Sequence, residues 1–190
     1  CNHKANFLKF LKYLESIGYK NRWSVLNAKD YGTPQHRERV FCISVLDDMN
    51  YFRFPKPEPL STKLADVLEQ DVGENFYLKN NQFMNRPIEQ DYSYCIDSNY
   101  WKGSTLNSFL EKKRRQLVTD KINEYGEYLV RRLTPHEAWR LMGVSDEDFQ
   151  KVSSIMSNTS LYKQAGNSIV VSVLEHIFTN LFINYDTTIP

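Results

Sequence analysis

The chain has 190 residues, of which 41% are apolar and 14% aromatic, enough to bury a core in one compact domain or two small ones. This composition excludes wholesale disorder, and no apolar run approaches the roughly 18–20 residues that span a bilayer. Three widely spaced cysteines argue against a disulfide framework and predict a reducing, cytoplasmic setting. The four histidines have no spacing with the cysteines that indicates a metal site, so none is predicted.

The net charge of +1 does not indicate a generic nucleic-acid clamp, but the charge is unevenly distributed. Residues 100–140 contain nine Lys and Arg against five Asp and Glu. A local basic patch on a nearly neutral protein fits a surface shaped for DNA. A solvated, charged helix is the alternative explanation of the same pattern.

The N-terminal quarter of the chain predicts a helix followed by two strands. Apolar residues at three- and four-residue spacing predict an amphipathic helix over residues 4–17, which Gly18 ends. A short strand is predicted at residues 22–26. After a turn at 31–34 comes a second strand, at 40–46, which is apolar enough to be buried on both faces. These elements together indicate one edge of an α/β sheet.

The middle of the chain carries weaker signals. Three prolines mark residues 47–60 as a stiff, extended connector. Residues 61–128 are polar and aromatic with weak periodicity, so no strand is predicted there. Ser61 or Thr62 could cap a short helix that ends at Leu68.

Helix signals return after residue 130. Thr134 and Glu137 form a capping-box pattern, and Pro135 lies at the first helical position, where no amide hydrogen bond is lost. The predicted helix continues to Met142 and Gly143 ends it. This segment indicates architecture rather than chemistry. The two arginines just before it could reach phosphate or anchor one layer of the fold to another.

The segment from Gln35 to Arg39 is the first candidate for chemistry. Side chains alternate along an extended segment, so Gln35, Arg37 and Arg39 project to one face, and His36 and Glu38 to the other. Two guanidinium groups and an amide at the rim of a buried strand form a donor-rich surface suited to phosphate or carbonyl oxygens. The alternative is an exposed strand end whose arginines pair with neighbouring acids.

The segment 164–168, Gln-Ala-Gly-Asn-Ser, is the second candidate. It precedes an apolar stripe that predicts a last helix from near Asn167. The N-terminus of such a helix would offer free backbone amides to an anionic or polar ligand. Alternatively, Asn167 or Ser168 is only the N-cap. An earlier helix is predicted to start at Ser145 in the same manner as the helix after Thr134.

Three segments carry a resemblance when they are taken in order. They are Tyr31-Gly-Thr-Pro-Gln-His-Arg-Glu-Arg39, Arg132-Leu-Thr-Pro-His-Glu-Ala-Trp-Arg-Leu-Met-Gly143 and Tyr162-Lys-Gln-Ala-Gly-Asn-Ser168. In this order they resemble the C-terminal part of a DNA (cytosine-5) methyltransferase of the restriction–modification type. The similarity covers residues 1–46 and 129–183, and the stretch between them lies where the family keeps its variable target-recognition region.

The resemblance implies an α/β fold, the C-terminal fragment of an S-adenosylmethionine-dependent methyltransferase fold plus a smaller, mixed target-recognition domain. Residues 1–48 and 161–190 are expected to end the catalytic methyltransferase domain, and residues 49–160 to form the DNA-reading domain. Members of the family rotate the target cytosine out of the duplex and transfer methyl from S-adenosylmethionine to its C5 atom.

The resemblance also implies site residues. Gln35, Arg37 and Arg39 are the expected catalytic residues, with Arg39 contacting the flipped cytosine or its surroundings and the other two supporting that site. Asn167 and Ser168 are expected to lie against the cofactor, S-adenosylmethionine. The candidate DNA contacts lie in the basic stretch and are Lys102, Lys112, Lys113, Arg114 and Arg115.

In the family, a glycine-rich cofactor motif, a Pro-Cys nucleophile and a Glu-Asn-Val acid precede the first segment, and none occurs in these 190 residues. Since the chain begins at Cys1 without an initiator Met, it is expected to come from something longer, a cytoplasmic bacterial or phage enzyme. It is expected to be inactive alone. Its expected partners are double-stranded DNA and the N-terminal catalytic part of the same enzyme, in cis or as a separate subunit. The alternative is a non-catalytic DNA-binding subunit or remnant, whose helix at 4–17 should have a self-sufficient apolar seat.

Overall fold

The computed structural model describes residues 2–46, 52–79 and 82–183. The helices in these ranges are α1 (Asn2–Ser16), α2 (Leu106–Leu110), α3 (Pro135–Arg140), α4 (Asp146–Ser153), α5 (Asn158–Asn167) and α6 (Val171–Phe178). The strands are β1 (Lys20–Asn27), β2 (Glu38–Val45), β3 (Phe83–Met84), β4 (Leu117–Ile122) and β5 (Tyr128–Arg132). None of these helices is long and apolar enough to cross a membrane. The predicted connector's first residues, and with them the predicted domain boundary at residue 48, lie outside the described ranges.

The first layer of the fold consists of α1 packed on an antiparallel pair, β1 and β2. Gly18, in the left-handed region at φ 96°, turns the chain from α1 into β1. The helix and both strands are confirmed, but the prediction that the second strand is buried on both faces is wrong. Val40 is 55% exposed and no residue of β2 is fully buried. Apolar composition alone cannot tell a strand between two layers from a strand with one open face.

The middle of the chain forms a small antiparallel sheet with strand order β3-β5-β4. A minor core lies beneath it, made by Phe109, Leu117 and Val130. The short helix expected to end at Leu68 is a 3₁₀ turn at Leu64–Val67, and its N-cap is Lys63 rather than Ser61 or Thr62. Lys63 is the N-cap because its backbone amide donates to the Asp66 carboxylate, on the third residue of the turn, at 2.7 Å.

The start of α3 confirms the predicted capping box. The Thr134 hydroxyl oxygen accepts the Glu137 amide at 3.1 Å, and the Glu137 carboxylate accepts the Thr134 amide at 2.8 Å. The helix ends at Arg140, two residues before the predicted end, and Gly143 follows at φ 75°. Ser145 is the N-cap of α4, also as predicted.

The prediction that one last helix begins near Asn167 is wrong. Residues 164–167 are the final turn of α5, Ser168 is its C-cap, and α6 begins only at Val171. Neither Asn167 nor Ser168 therefore caps a helix N-terminus, and the segment offers no set of free helix amides. The apolar stripe that predicted the last helix is real, but it says nothing about the helix that precedes it.

The main core is continuous from the first layer to the last helices. It is built from residues distant in sequence, among them Leu26, Tyr31, Phe52, Ile96, Tyr100, Leu133, Met142, Tyr162 and Ile177. These residues come from both of the expected domains, 1–48 with 161–190 and 49–160. The division into two domains stays a prediction.

Candidate functional site

The segment that precedes β2 runs beside a strand-like stretch from the middle of the chain. Gln35 and Ser93 form an isolated parallel bridge. The His36 amide donates to the Ser93 carbonyl at 2.8 Å, and the Ser93 amide donates to the Pro34 carbonyl at 2.8 Å. This pairing fixes residues 35–39 against residues 93–96.

Gln35 is a fully buried link between two other parts of the chain. Its side-chain oxygen accepts the Ile96 amide at 3.1 Å, and its nitrogen donates to the Leu141 carbonyl at 2.6 Å, just past the end of α3. A buried amide needs partners for both its donors and its acceptor. Gln35 finds them in these backbone atoms and in the Met142 sulfur, which lies 3.5 Å from its nitrogen.

Arg37 is 4% exposed and joins three segments. One terminal nitrogen donates to the Ile96 carbonyl at 2.7 Å. The other donates to the carbonyls of Gly166 at 2.9 Å and Ser168 at 2.7 Å. None of the contacts it makes with the described residues is to a carboxylate. Desolvation by burial lowers its pKa from the usual arginine value, although a nearby sulfur, that of Cys95, opposes this.

Arg39 is the exposed member of the trio. One of its terminal nitrogens donates to the adjacent Glu38 carbonyl at 2.7 Å, and the other lies 3.6 Å from the Cys95 sulfur. Arg37 also contacts that sulfur, at 3.4 Å, which places the two guanidinium groups on the same side of the segment, as predicted.

The expectation of a shared donor surface is nevertheless wrong for two of the three residues. Gln35 and Arg37 use their donors inside the protein, and Arg39 alone presents its group to solvent. The alternative, that the arginines pair with neighbouring acids, is also wrong across the described ranges, where neither Arg37 nor Arg39 forms an ion pair. Alternation identifies residues that share a face but not which of them the core covers.

Gly166 explains why the second candidate segment needs its glycine. A Cβ atom at this position would lie 2.2 Å from the backbone of Asp97 and Ser98, well inside contact distance. The last turn of α5 therefore packs backbone to backbone against the stretch that also receives Arg37. The neighbouring Asn167 and Ser168 are exposed, and the Ser168 hydroxyl donates to the Ile169 carbonyl at 3.2 Å.

Three of the five candidate DNA contacts have exposed lysine side chains. They are Lys102, Lys112 and Lys113. The ammonium group of Lys102 lies 5.6 Å from the centre of the Trp101 ring. Lys113 lies in the left-handed region at φ 48°, which is uncommon for any residue with a side chain.

The two arginines of the same stretch differ from each other. Arg114 is exposed and lies 3.6 Å from an Asp97 carboxylate oxygen. Arg115 is only partly exposed, and one of its terminal nitrogens donates to the Gly103 carbonyl at 2.6 Å. Arg115 thus helps to hold its own loop, whereas Arg114 remains open to solvent.

A second buried arginine, Arg131, was left undecided by the sequence. Arg131 and Glu137 are both fully buried and form two hydrogen bonds of 2.8 Å, and Arg131 also pairs with Asp120. Burial alone would lower the pKa of Arg131, but hydrogen bonds and charge from Glu137 and Asp120 raise it above the usual value. Arg131 is therefore an anchor and not a phosphate contact. The capping box pointed to Glu137, but nothing in the sequence showed this second role.

Solved structures that resemble this chain include methyltransferases. One is the Entamoeba histolytica methyltransferase EhMeth, at a TM-score of 0.70 and 15% identity, covering 94% of this chain and 58% of that one. Another is the DNMT2 of Spodoptera frugiperda, at a TM-score of 0.68 and 20% identity, covering 91% and 61%. At these identities the likeness shows the fold alone, and it confirms that the chain has part of a methyltransferase fold.

The family model described as C-5 cytosine-specific DNA methylase matches residues 1–182, and the chain belongs to this family. The type II methyltransferase M2.ScrFI of Lactococcus lactis subsp. cremoris is 61% identical over 181 residues, which are 95% of this chain and 50% of that protein. The type II methyltransferase M.MspI of Moraxella sp is 32% identical, over 93% of this chain and 42% of that protein. The chain thus spans about half the length of these curated relatives.

Proposed function

We propose that this chain binds DNA and positions the target cytosine within a type II DNA (cytosine-5) methyltransferase, which transfers methyl from S-adenosylmethionine to C5 of cytosine. The observation that carries the proposal is the difference in burial among the three donor residues of segment 35–39. Gln35 and Arg37 are buried anchors, and they leave Arg39 exposed at the rim.

Arg39 is suited to a cytosine that has left the duplex. Such a base presents a carbonyl oxygen and a ring nitrogen, both acceptors, and a guanidinium group offers a planar set of donors. The Glu38 carbonyl and the Cys95 sulfur orient one edge of the guanidinium group, so its remaining donors are available to the base or to a nearby phosphate. Lys102, Lys112, Lys113 and Arg114 would neutralise phosphates along the strand.

Asn167 and Ser168 are the proposed cofactor contacts. S-adenosylmethionine, when bound, supplies the methyl group. The side-chain amide of Asn167 is exposed and makes no hydrogen bond with the described residues, so it has donors and an acceptor for a polar ligand edge. Arg37 fixes the Ser168 carbonyl, which holds this corner of the backbone in place. Most of the cofactor would be bound by the N-terminal part of the enzyme.

The open face of the first layer supports an N-terminal catalytic part as the partner of this chain. Along α1 and the bend after it, Phe10, Tyr13 and Ile17 are at least half exposed, whereas Leu11 is buried at 6% exposure. Exposed apolar side chains that share one face indicate a surface that another part of the enzyme covers. The alternative, a subunit or remnant that binds DNA without catalysis, requires α1 to have its own apolar seat, and this exposure argues against it.

Reconstitution tests the proposal. The N-terminal half of the Lactococcus relative would be produced separately and mixed with this chain, and methyl transfer from labelled S-adenosylmethionine to DNA would be measured. We expect no turnover from either part alone and turnover from the mixture. Arg39→Ala should abolish methyl transfer without preventing complex formation, while Arg86→Ala, an exposed arginine elsewhere, should leave it unchanged. Turnover by this chain alone, or a stable complex without turnover, would contradict the proposal.

A further inference from the structure

A groove of about 560 Å³ opens on the His36 side of the segment that carries Arg39. It is lined by His36, Gln90, Asp91, Tyr92, Tyr94 and Lys113. We call it the Tyr92 groove. It brings together a residue of the first candidate segment, four residues of the middle stretch and one of the five basic candidates, and neither sequence pattern nor family resemblance pointed to it.

We propose that the Tyr92 groove binds one nucleotide of a DNA strand, with the phosphate on Lys113 and His36 and the sugar or base against the tyrosine rings. The proposal rests on the proposed function and adds where the strand passes. It makes His36 and Tyr92 DNA-binding residues.

The charges around the groove favour an anion. Lys113 forms no ion pair with any residue in the described ranges, and Lys29 lies beside the groove with its ammonium group 4.8 Å from the centre of the Tyr92 ring. Asp91 is the one carboxylate in the lining, and it is paired with Lys63 at 3.2 Å. The groove therefore carries an excess of positive groups that can meet a phosphate.

The aromatic side chains supply a surface for the rest of a nucleotide. The Tyr92 ring is partly exposed, and the His36 ring lies 6.1 Å from it at an angle of 31°. Tyr94 is supported from behind by Phe109, at 5.6 Å. Exposed tyrosine faces stack on bases of any identity, which suits contact with a strand outside the recognised sequence.

The groove is also tied to Arg39 by the backbone. Tyr92 directly precedes Ser93, and Ser93 forms hydrogen bonds with both His36 and Pro34. The tyrosine ring and Arg39 are thus held by the same short ladder. A strand lying in the groove would be presented at a fixed position relative to the residue proposed to meet the flipped cytosine.

The test is DNA binding by the full chain, measured by fluorescence anisotropy with a labelled duplex at several salt concentrations. Tyr92→Ala should weaken binding about tenfold through lost stacking. Lys113→Ala should weaken binding and lower the slope of log affinity against log salt by about one. Lys121→Ala is the matched control, because this lysine is exposed like Lys113 but does not line the groove. Thermal unfolding would confirm that each variant is folded.

The possible outcomes separate this inference from the proposed function. Folded Tyr92 and Lys113 variants that bind like the unsubstituted chain would overturn the groove assignment and leave the proposed function intact. Tighter binding of an RNA duplex of the same sequence would overturn the assignment to DNA. No DNA binding by the unsubstituted chain would also overturn the groove assignment, and methyl transfer by the reconstituted enzyme would then decide the proposed function separately.

Discussion

Two regions of this molecule bury an arginine, and they accommodate the charge in opposite ways. Around Arg131, the carboxylates of Glu137 and Asp120 neutralise the guanidinium group. Around Arg37, the partners within the described ranges are the carbonyls of three residues and the sulfur of Cys95, and its Nε atom has no hydrogen-bond partner.

The two regions therefore differ in the charge that they keep. A guanidinium group that pairs with two carboxylates keeps no uncompensated positive charge. A guanidinium group held by carbonyl dipoles keeps its net positive charge, and Arg39 adds a second positive charge close by. The region of Arg37 therefore keeps a positive charge, whereas Arg131 is neutralised and holds β5 to both β4 and α3.

Removing the neutralising carboxylate should have the largest effect. Glu137→Gln leaves Arg131 fully buried with only Asp120 as a charge partner, and we expect a loss of about 3–5 kcal/mol in the free energy of unfolding. Urea denaturation would measure it, with the exposed Glu124→Gln as the control. A loss no larger than the control's would show that the two regions do not differ as described.

Gly166→Ala should come second, because it separates the carbonyls that hold Arg37 from the backbone they pack against. The new Cβ would lie 2.2 Å from residues 97 and 98, so α5 must move, at a cost of about 3 kcal/mol. Gly73→Ala is the matched control, since Gly73 has φ −63° and faces only the end of the Asn75 side chain. Equal unfolding temperatures for the two variants would refute the backbone contact.

Within the motif, Arg37→Lys should be destabilising and Arg39→Lys nearly neutral. A lysine ammonium cannot span the acceptors on both sides of Arg37, and we expect a loss of about 2 kcal/mol from unmade hydrogen bonds. Arg39 is exposed, so its replacement should change the free energy of unfolding by at most about 0.5 kcal/mol. The reverse order in urea denaturation would assign the anchoring role to Arg39.

A small effect is expected from Asp146→Asn, because Asp146 is more exposed than the buried carboxylate of Glu137. Hydrogen bonds from Arg140 hold the pKa of Asp146 well below its usual value, and a hydrogen bond from His136 lowers it further. A carboxyl group whose pKa is lowered in the folded state stabilises the fold at neutral pH. This stabilisation is lost as the pH falls below about 4, where the unfolded chain takes up the proton. Because Asp146 is half exposed, we expect about 0.5 kcal/mol. The difference in urea denaturation between Asp146→Asn and the unsubstituted chain should be present at pH 7 and shrink at pH 3.

Sequence reasoning succeeded where the signal is local. The Thr134 and Glu137 capping box and the Ser145 N-cap involve hydrogen bonds within three residues, so their spacing predicts the helix start. The order of the three motifs also predicted the family. Both kinds of signal are complete within a short segment.

The sequence does not predict contacts between residues that are far apart along the chain. The role of Gly166 depends on Asp97, and the burial of Arg37 depends on Ile96 and Ser168, none of which any pattern connects. The open face of β2 is invisible for the same reason, because an apolar strand reads alike whether or not another layer covers it. The groove at Tyr92 likewise exists only after residues 90–94 have paired with residues 34–36.

One consequence of the contacts at Gln35 and Arg37 concerns how freely the sequence of the segment around Ile96 can change. Apart from sulfur contacts, both side chains bind backbone atoms of the segments around them, including the amide and carbonyl of Ile96. Every amino acid supplies a carbonyl, and all but proline supply an amide, so the stretch that meets Gln35 and Arg37 can vary its side chains without losing the junction. A segment grafted here from a relative would need to keep the path of its backbone, and little of its sequence.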